Sequence, residues 1–490
     1  MQSRRIPIIL IIVVLIIACL CTVGIGVLGY SFFSIRDAVV TTAPEFPEAI
    51  PVQPSTTSLP DDEGSPPDPE PTAVTTPEDA LKPTEQSQVT GENIPPEVAA
   101  SMDTIQEQVI TIRGLEPEGS FTRAIFSPEN LRERVVNDFF SDYTPEEAAD
   151  DALILSFFGL LEPDFDLIAL YIELFSEQVA GFYDDETREM VVVGSESFGG
   201  PEKLTYAHEY NHALQDQNFN FNDGLMYNDD ACEVDSERCA AVQALIEGDA
   251  TLLEIQWFLE YATDTDLEQI VAYYNSLDLT VLDNAPAFLQ EDFVFPYDEG
   301  YLFVEYLFNA GGWAAVDAAF ADPPVSTEQI LHPEKYPNDA PAPVSLPDLL
   351  PILGSGWELI DDNVMGEWYT YLILAHGTDP GARLPDDQAA AAAAGWGGDR
   401  YVVYHNRVSG ETVMVLKATW DTPEDTVEFA AAFSLYADDR FGPSSAAPSG
   451  TALWEADAGV HLFTETGGAT IWVAAPDPTV AEVVLAAIDE

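Results

Sequence analysis

The spacing of hydrophobic positions changes along the chain, and each change predicts a different element. Residues 6–34 form an uncharged, almost wholly apolar run. Between 102 and 178 the apolar residues recur at helical spacing, and 179–193 holds two β-rich runs on either side of a polar turn. We therefore expect packing helices, then a β-hairpin, and then a helix that begins near Pro201, a residue well suited to the first helical turn.

The rest of the chain continues this mixture of helical and strand-like runs. Apolar residues at helical spacing predict helices over 237–261, 266–276, 298–310, 312–320 and 357–375. Beyond residue 399, strands are expected at 401–408, 412–420, 459–464 and 469–474, and helices at 422–436 and 479–488. The expected fold class is α+β, with a mainly helical domain and a short sheet over 101–345 and a small α+β domain over 346–490.

The N-terminus has the features of a membrane anchor. Two arginines precede the apolar run, which is long enough at helical rise to cross a bilayer. Because basic flanks favour the cytoplasmic side, we expect residues 1–5 in the cytoplasm, a transmembrane signal anchor over 6–34, and the bulk of the chain outside. The alternative is lipoprotein processing, since the residues around Cys19 resemble a lipobox, which would be acylated there.

Residues 35–100 have the composition of a disordered stalk. Positions 38–100 contain 13 of the chain's 36 prolines and 12 acidic residues against one lysine, with almost no aliphatic periodicity. Such a segment buries too little apolar surface to offset its own ordering entropy. The folded part is therefore expected to begin at residue 101.

Composition narrows the classes of partner and of metal site. The chain has 490 residues and a formal net charge of -69, so it repels phosphate backbones and is not expected to bind nucleic acid. It has four cysteines and no C-x-x-C pairing, which leaves histidines and carboxylates to hold any metal. Cys232 and Cys239 bracket an acidic loop, and in an oxidising compartment we expect them to form an intrachain disulfide.

One segment carries a metal-binding pattern. Residues 208–212 read His-Glu-Tyr-Asn-His, and the two histidines of this His-Glu-x-x-His motif stand one helical turn apart on the same face. A divalent metal can bind both His208 and His212. Glu209 is rotated by about 100° from His208 on the helix. It is therefore suited to take a proton from a water in an open coordination position rather than to act as a ligand.

The motif is followed by Ile246-Glu247-Gly248-Asp249-Ala250, and together the two segments resemble the gluzincin-type zinc metallopeptidases. In that family a glutamate on a later helix completes the zinc site. The resemblance covers residues 179–260 and implies Zn²⁺ bound by His208, His212 and Glu247. The spacing between His212 and Glu247 is longer than in thermolysin-like enzymes, so it indicates no particular subfamily.

The resemblance also carries expectations about fold and activity. It implies a zincin-like fold for the helical domain and hydrolysis of peptide bonds, with Glu209 as the catalytic base. It implies that the hairpin at 179–193 provides an edge strand that aligns a peptide or protein substrate. Enzymes of this type use a downstream Tyr or His to stabilise the oxyanion. We expect His332 in that role, with Tyr297 and Tyr301 as weaker candidates.

The sequence around Glu247 also favours this residue as the third ligand. It interrupts an apolar helical run, 242–258, where a buried carboxylate is costly unless something cationic accompanies it. Gly248 follows it, and we expect this small residue to let the helix approach the histidine helix closely. The other nearby acids fall in a polar loop, where we expect them to remain in water: Glu233, Asp235 and Glu237.

Other residues are candidates to support the ligands without binding metal. Asp216 lies four residues after His212, on the same helix face, and can orient its imidazole. Asp249 and Thr251 lie two and four residues after Glu247 and can brace its carboxylate. For Asp216 the alternative is an ordinary solvated acid, and for Asp249 and Thr251 it is a purely structural role.

Two classes of function follow from these patterns. The first is a membrane-tethered, extracytoplasmic zinc metallopeptidase that hydrolyses peptide bonds with a zinc-activated water. The second is a zincin-fold surface protein of weak or lost activity that serves in binding or interaction. A purely structural zinc site has no need of a general base, so Glu209 favours the enzyme.

Overall fold

The computed structural model describes residues 94–488 except 140–142, 195–197, 448 and 457. The predicted anchor at 6–34 and the alternative acylation site at Cys19 lie outside these residues, as does nearly all of the predicted stalk. None of the described helices combines the length and the apolar character needed to span a membrane. The first helix begins at Pro96, so the last residues assigned to the stalk are helical instead.

The first part of the described chain is mainly helical, with one small sheet. Its helices are α1 Pro96–Arg113, α2 Pro128–Arg134, α3 Pro145–Phe157, α4 Leu167–Gln178, α5 Gly200–Phe219, α6 Asp229–Cys232, α7 Ser236–Tyr261, α8 Asp264–Tyr274, α9 Thr280–Asp283, α10 Ala287–Gly311, α11 Trp313–Ala321 and α12 Thr327–Leu331. A π-helical turn, Val135–Phe139, continues α2. The strands are β1 Thr122–Phe126, β2 Gly181–Asp184 and β3 Glu189–Val193.

The small sheet confirms the hairpin and adds a strand that the spacing did not predict. β2 pairs antiparallel with β3, and Gly181 lies opposite Val192. β1 pairs parallel with the other side of β3, within a stretch for which the sequence predicted only helices. The strand order is therefore β1-β3-β2, and β2 is an edge strand of this sheet.

The second part contains a seven-stranded antiparallel sheet with helices. Its helices are α13 Leu350–Leu353, α14 Gly366–Ala375, α15 Asp386–Ala393, α16 Pro423–Phe441 and α17 Pro478–Ile488. Its strands, in the spatial order β4-β5-β6-β10-β9-β8-β7, are β4 Trp357–Asn363, β5 Trp396–Asn406, β6 Thr412–Trp420, β7 Ser445–Ala446, β8 Ala452–Ala456, β9 Gly459–Thr466 and β10 Ala469–Ala475. The predicted helix over 357–375 was wrong in its first half, which is β4.

Both faces of the large sheet are covered. Along β5, Tyr401 and Val403 join one hydrophobic cluster, while Val402 and Tyr404 join another that includes residues of α17. The first of these clusters also contains buried residues of α3, α4, α7 and α10. The sheet therefore shares a core with the helical part, although the predicted boundary at residue 345 separates the two.

Candidate metal centre

The histidine motif lies on the buried helix α5. Pro201 occupies its first turn, and the side chain of Glu202 accepts a hydrogen bond from the backbone N–H of Gly199 at 2.9 Å. From Leu204 to Gln215 every residue of α5 is buried. The predicted helix and its N-terminal signal are thus confirmed, and His208, Glu209 and His212 are all 0% exposed.

Helix α7 runs antiparallel to α5 and carries Glu247. Three polar contacts join the helices, and residues later on α5 contact residues earlier on α7. The pairs are His208 with Glu254, Asn211 with Asp249, and Gln215 with the backbone carbonyl of Ile246. Glu247 lies within this ladder, directly beside the motif. The long loop between the two segments therefore brings the expected third ligand to the histidines.

The three predicted ligands converge. Oε2 of Glu247 lies 3.2 Å from Nε2 of His208 and 3.4 Å from Nε2 of His212. One ligand atom from each of the three side chains lies within 4.8 Å of the others, and all three side chains are buried. Such a cluster has the size and the donor set of a small metal site.

The hydrogen bonds of the two Nδ1 atoms set the tautomer and the orientation of the His208 and His212 rings. Nδ1 of His208 lies 2.9 Å from the carboxylate of Glu254, and Nδ1 of His212 lies 2.8 Å from the amide oxygen of Gln215. Each of these partners is an acceptor, so each Nδ1 carries the proton and donates it. In the neutral rings, both Nε2 atoms then present lone pairs toward Glu247. Partners of this kind commonly orient histidine ligands of metals.

The side chains of His208, His212 and Glu247 are arranged to bind a cation rather than one another. Each Nε2 lone pair repels the Glu247 carboxylate when no proton lies between them. A positive charge among the three groups removes that repulsion. Nε2 of His212 and Oε1 of Glu247 are buried without a hydrogen-bond partner among the described residues. Burial raises the pKa of the Glu247 carboxyl, but positive charge on the His212 and His208 rings outweighs it and lowers that pKa; a bound cation supplies the same positive charge while the rings stay neutral. Two imidazoles and a carboxylate form a donor set suited to zinc.

Glu209 is a buried carboxylate that faces the same region. Both of its carboxylate oxygens are buried without a hydrogen-bond partner among the described residues. Burial raises the pKa of Glu209 to about 7, and His212 and His208 partly oppose that shift. A Cβ atom added at Gly181 of β2 would lie 3.3 Å from Cγ of Glu209, so the edge strand passes directly beside the predicted base.

None of the three residues expected from sequence to support the ligands has a described contact with the ligand to which it was assigned. Asp216 accepts a hydrogen bond from the hydroxyl of Tyr183 at 2.9 Å, and Gln215 takes the place beside His212. Asp249 binds Arg113 and Asn211 rather than Glu247. Thr251 is half-buried and makes no contact with Glu247 that the structure describes.

Glu254 and Gln215 were not predicted, although each has a signal in the sequence. Glu254 lies two helical turns after Glu247 and is a second carboxylate in the same apolar run. Gln215 lies three residues after His212, which is a spacing that brings side chains together on a helix. Choosing between Gln215 and Asp216 needed the position of Tyr183, which a distant strand supplies.

The candidates for oxyanion stabilisation occupy different surroundings. Nε2 of His332 lies 2.9 Å from Oε1 of Glu367 on α14, and this carboxylate raises the pKa of His332. The ring of Tyr297, on α10, stacks on His208 with 6.4 Å between the ring centroids. Tyr301 donates its hydroxyl proton to Glu305. Of the three, Tyr297 is the one whose described contacts include a predicted metal ligand.

The acids between the two helices are not all solvated. Glu237 is 3% exposed and accepts hydrogen bonds from the backbone N–H and the hydroxyl of Thr327 at 2.6 and 2.8 Å. The expectation that Glu237 stays in water was wrong, because the second part of the chain covers it at Gly366. Glu233 is exposed, as expected. A disulfide joins Cys232 to Cys239, with 5.6 Å between their Cα atoms.

Gly248 packs against a different helix from the one expected. A Cβ atom at this position would lie 2.1 Å from the carbonyl oxygen of Gly300 on α10. The close approach that a glycine permits is therefore between α7 and α10. The ligand helices α5 and α7 are joined by the polar ladder instead.

Comparison with known proteins bears on the second part of the chain. Residues 357–485 match the family described as Domain of unknown function (DUF8575). No curated protein and no solved structure matches the chain. The matched segment runs from β4 into α17 and contains none of the residues of the metal cluster, so the chemistry of that cluster rests on its own geometry.

Proposed function

We propose that this chain is a membrane-tethered, extracytoplasmic zinc-dependent metallopeptidase. One observation carries the proposal. Two Nε2 lone pairs and a carboxylate converge within the reach of one cation, beside a buried carboxylate, Glu209, whose two oxygens have no hydrogen-bond partner among the described residues. A metal site that only stabilises the fold has no use for such a group, whereas hydrolysis needs one.

Each part of the cluster has a role in this chemistry. Zn²⁺ bound by His208, His212 and Glu247 would act as a Lewis acid that polarises a peptide carbonyl and lowers the pKa of water. Glu209 takes a proton from the attacking water and passes it to the leaving amine, so that the water oxygen ends on the new carboxyl group. Glu254 and Gln215 hold the imidazoles with Nε2 toward the centre.

The edge strand β2 offers a way to bind an extended peptide. Its second edge is not paired within the three-stranded sheet, so its backbone N–H and C=O groups can add a substrate strand. Because Gly181 lies beside Glu209, a peptide on that edge would run past the predicted base. For stabilising the oxyanion, the sequence favoured His332; because the ring of Tyr297 stacks on His208, we propose Tyr297 first and keep His332 as the second candidate.

One observation favours the alternative of a zincin-fold binding protein of weak or lost activity. His208, Glu209, His212 and Glu247 are all 0% exposed. A peptide can reach Glu209 only if the residues that cover it move. The two functions differ in turnover, since both include a bound metal.

A digest of a peptide library by the purified full-length chain, together with metal analysis of the same sample, separates these functions. The proposal expects about one zinc per chain and cleavage that chelators abolish and added zinc restores. Zinc without cleavage would favour the binding protein. A chain without zinc would contradict the metal site itself.

The membrane tether needs its own experiment. Ser58 lies in the predicted stalk, so a membrane-impermeant thiol label on intact cells should mark a Ser58→Cys variant above the level of the parental chain. Labelling that requires lysis of the cells would contradict the proposed topology.

A further inference from the structure

A buried arginine from a third helix enters the contact between the two ligand helices. Arg113 is the last residue of α1 and is 1% exposed. Its Nε and Nη2 atoms lie 2.9 Å from the two carboxylate oxygens of Asp249 on α7, so the pair is bidentate and fully buried. The guanidinium also lies 4.5 Å from the centroid of the Trp313 ring. Such a geometry holds both side chains in one arrangement.

Asp249 also contacts α5, the helix that carries the two histidines. Its Oδ1 atom accepts a hydrogen bond from Nδ2 of Asn211 at 3.1 Å. Asn211 is the residue immediately before His212, and Asp249 lies two residues after Glu247. One carboxylate therefore links α1, α5 and α7 at positions adjacent to two of the three predicted ligands.

The register of α7 against α5 depends on such contacts. A slip of one residue along a helix is a shift of about 1.5 Å and a rotation of about 100°. Either change would carry the Glu247 carboxylate away from the histidines. Such a slip would break the hydrogen bond between Asn211 and Asp249 on one side of Glu247 and that between Gln215 and the carbonyl of Ile246 on the other.

The positive charge of Arg113 compensates the buried negative charge of Asp249. Asp249 is 0% exposed, and a buried carboxylate without a partner is strongly destabilising. The second ion pair of Arg113 is made with Asp317 at 2.7 Å, and the side chain of Asp317 is 41% exposed. Asp317 can therefore be solvated without Arg113, whereas Asp249 cannot.

We infer that Arg113 is a positioning residue of the metal centre, which acts through Asp249 and Asn211 to hold Glu247 in register with the two histidines. The inference rests on the proposed zinc site. It makes α1 part of that site, although no residue of α1 binds the metal. It assigns to Asp249 a function in ligand placement that its sequence position beside Glu247 did not reveal.

The test uses the full-length chain loaded with Co²⁺ in place of zinc, because the visible spectrum of Co²⁺ reports ligand geometry. Metal affinity is measured in parallel by competition with a chelator. Arg113→Met and Asp249→Asn should each weaken the affinity about 10- to 100-fold and alter the spectrum. Arg113→Lys keeps the charge but loses the bidentate geometry, so it should fall between Arg113→Met and the parent.

A matched control separates positioning from general stability. Arg440 hydrogen-bonds the backbone carbonyls of Ser156 and Phe157 and stacks on Phe441, away from both ligand helices. Arg440→Met should lower the thermal stability while the Co²⁺ spectrum and affinity stay parental. If Arg113→Met does not fold, Asn211→Ala tests the same link, since it removes the contact with α5 and leaves the buried ion pair.

The outcomes are distinct. Parental spectra and affinities in the variants that fold would overturn the inference and leave the metallopeptidase proposal standing. An equal effect of Arg440→Met would also overturn it, since general destabilisation would then explain the loss. A parental chain that binds no Co²⁺ or zinc would overturn the metal site and this inference together.

Discussion

Gly248 and Gly300 bring the backbones of α7 and α10 into direct contact. A Cβ on Gly248 would lie 2.1 Å from the carbonyl oxygen of Gly300, and one on Gly300 would lie 2.2 Å from that of Ala244. Gly248 adjoins the predicted ligand Glu247, and Gly300 lies three residues after Tyr297, whose ring stacks on His208. The crossing therefore sets how closely α10 approaches the proposed metal centre.

This contact predicts that Gly248→Ala is strongly destabilising. Backbone atoms cannot move aside as a flexible side chain can, so the two helices must separate, at a cost of about 1–3 kcal/mol or more in the free energy of unfolding. Gly119→Ala is the control, because its added Cβ would meet side chains only at 3.5 Å or more. Urea denaturation measures both. Equal stability of the two variants would contradict the close crossing.

Glu247→Ala should release zinc and lower the melting temperature, because metal binding stabilises the folded state that contains the site. Glu260 is an exposed acid on the same helix, so Glu260→Ala should change neither property. Metal analysis after dialysis, with His212→Ala as the metal-free reference, checks the assignment. Stoichiometric zinc in Glu247→Ala would leave the third ligand to another residue.

Glu237 gives a separate prediction about the contact between the two parts of the chain. Glu237→Ala leaves the buried N–H of Thr327 without its acceptor, which costs about 1–3 kcal/mol. Burial raises the pKa of Glu237 well above its ordinary value, so a neutral glutamine resembles the native group and Glu237→Gln should lose less. Zinc content should remain parental in both. Calorimetry and metal analysis together test this, and zinc loss would place Glu237 in the metal site after all.

Asp292 makes the stability of the fold depend on pH. It accepts hydrogen bonds from Trp368 and Tyr369, but burial outweighs them and raises its pKa to about 6. The folded state therefore holds a proton that the unfolded state releases near pH 4. The stability from this group is complete below about pH 4 and is lost as the pH rises through 6, by up to about 3 kcal/mol.

Asp292→Asn removes this proton uptake. Free energies of unfolding measured at several pH values from 4 to 7.5 should fall less steeply with rising pH in the variant than in the parent. Asp387→Asn, at an exposed position, should leave the parental slope unchanged. Identical slopes for the parent and Asp292→Asn would show that Asp292 ionises alike in the folded and unfolded states.

The parts of the site that sequence predicts are those set by local geometry. The helical period alone puts His208 and His212 on one face, and the cost of burying a charge singles out Glu247 in an apolar run. The partners of these residues come from distant segments. Arg113 lies on α1 and contacts Asp249, and Tyr183 on β2 donates a hydrogen bond to Asp216, which does not contact His212 in the described structure. Neither contact follows from the spacing of residues on α5.

In the fold, too, local elements were predicted and contacts between distant segments were not. The hairpin at 179–193 is local and was predicted, whereas β1 pairs with β3 across more than sixty residues and was not. β4 was taken for a helix because Trp357–Asn363 carries apolar residues at mixed spacing and continues into the helical run of α14. Glu237 follows a polar loop in sequence and is buried only because α12 and the start of α14 pack over it.

The most direct measurement of the central claim is turnover and metal content in Glu209→Gln, assayed beside the parental chain on a peptide that the parent cleaves. Removing the base should lower turnover by about 10²- to 10⁴-fold. One zinc per chain should remain bound, because His208, His212 and Glu247 are unchanged. Near-parental turnover with zinc retained would contradict the role of Glu209 and, with it, the proposed mechanism.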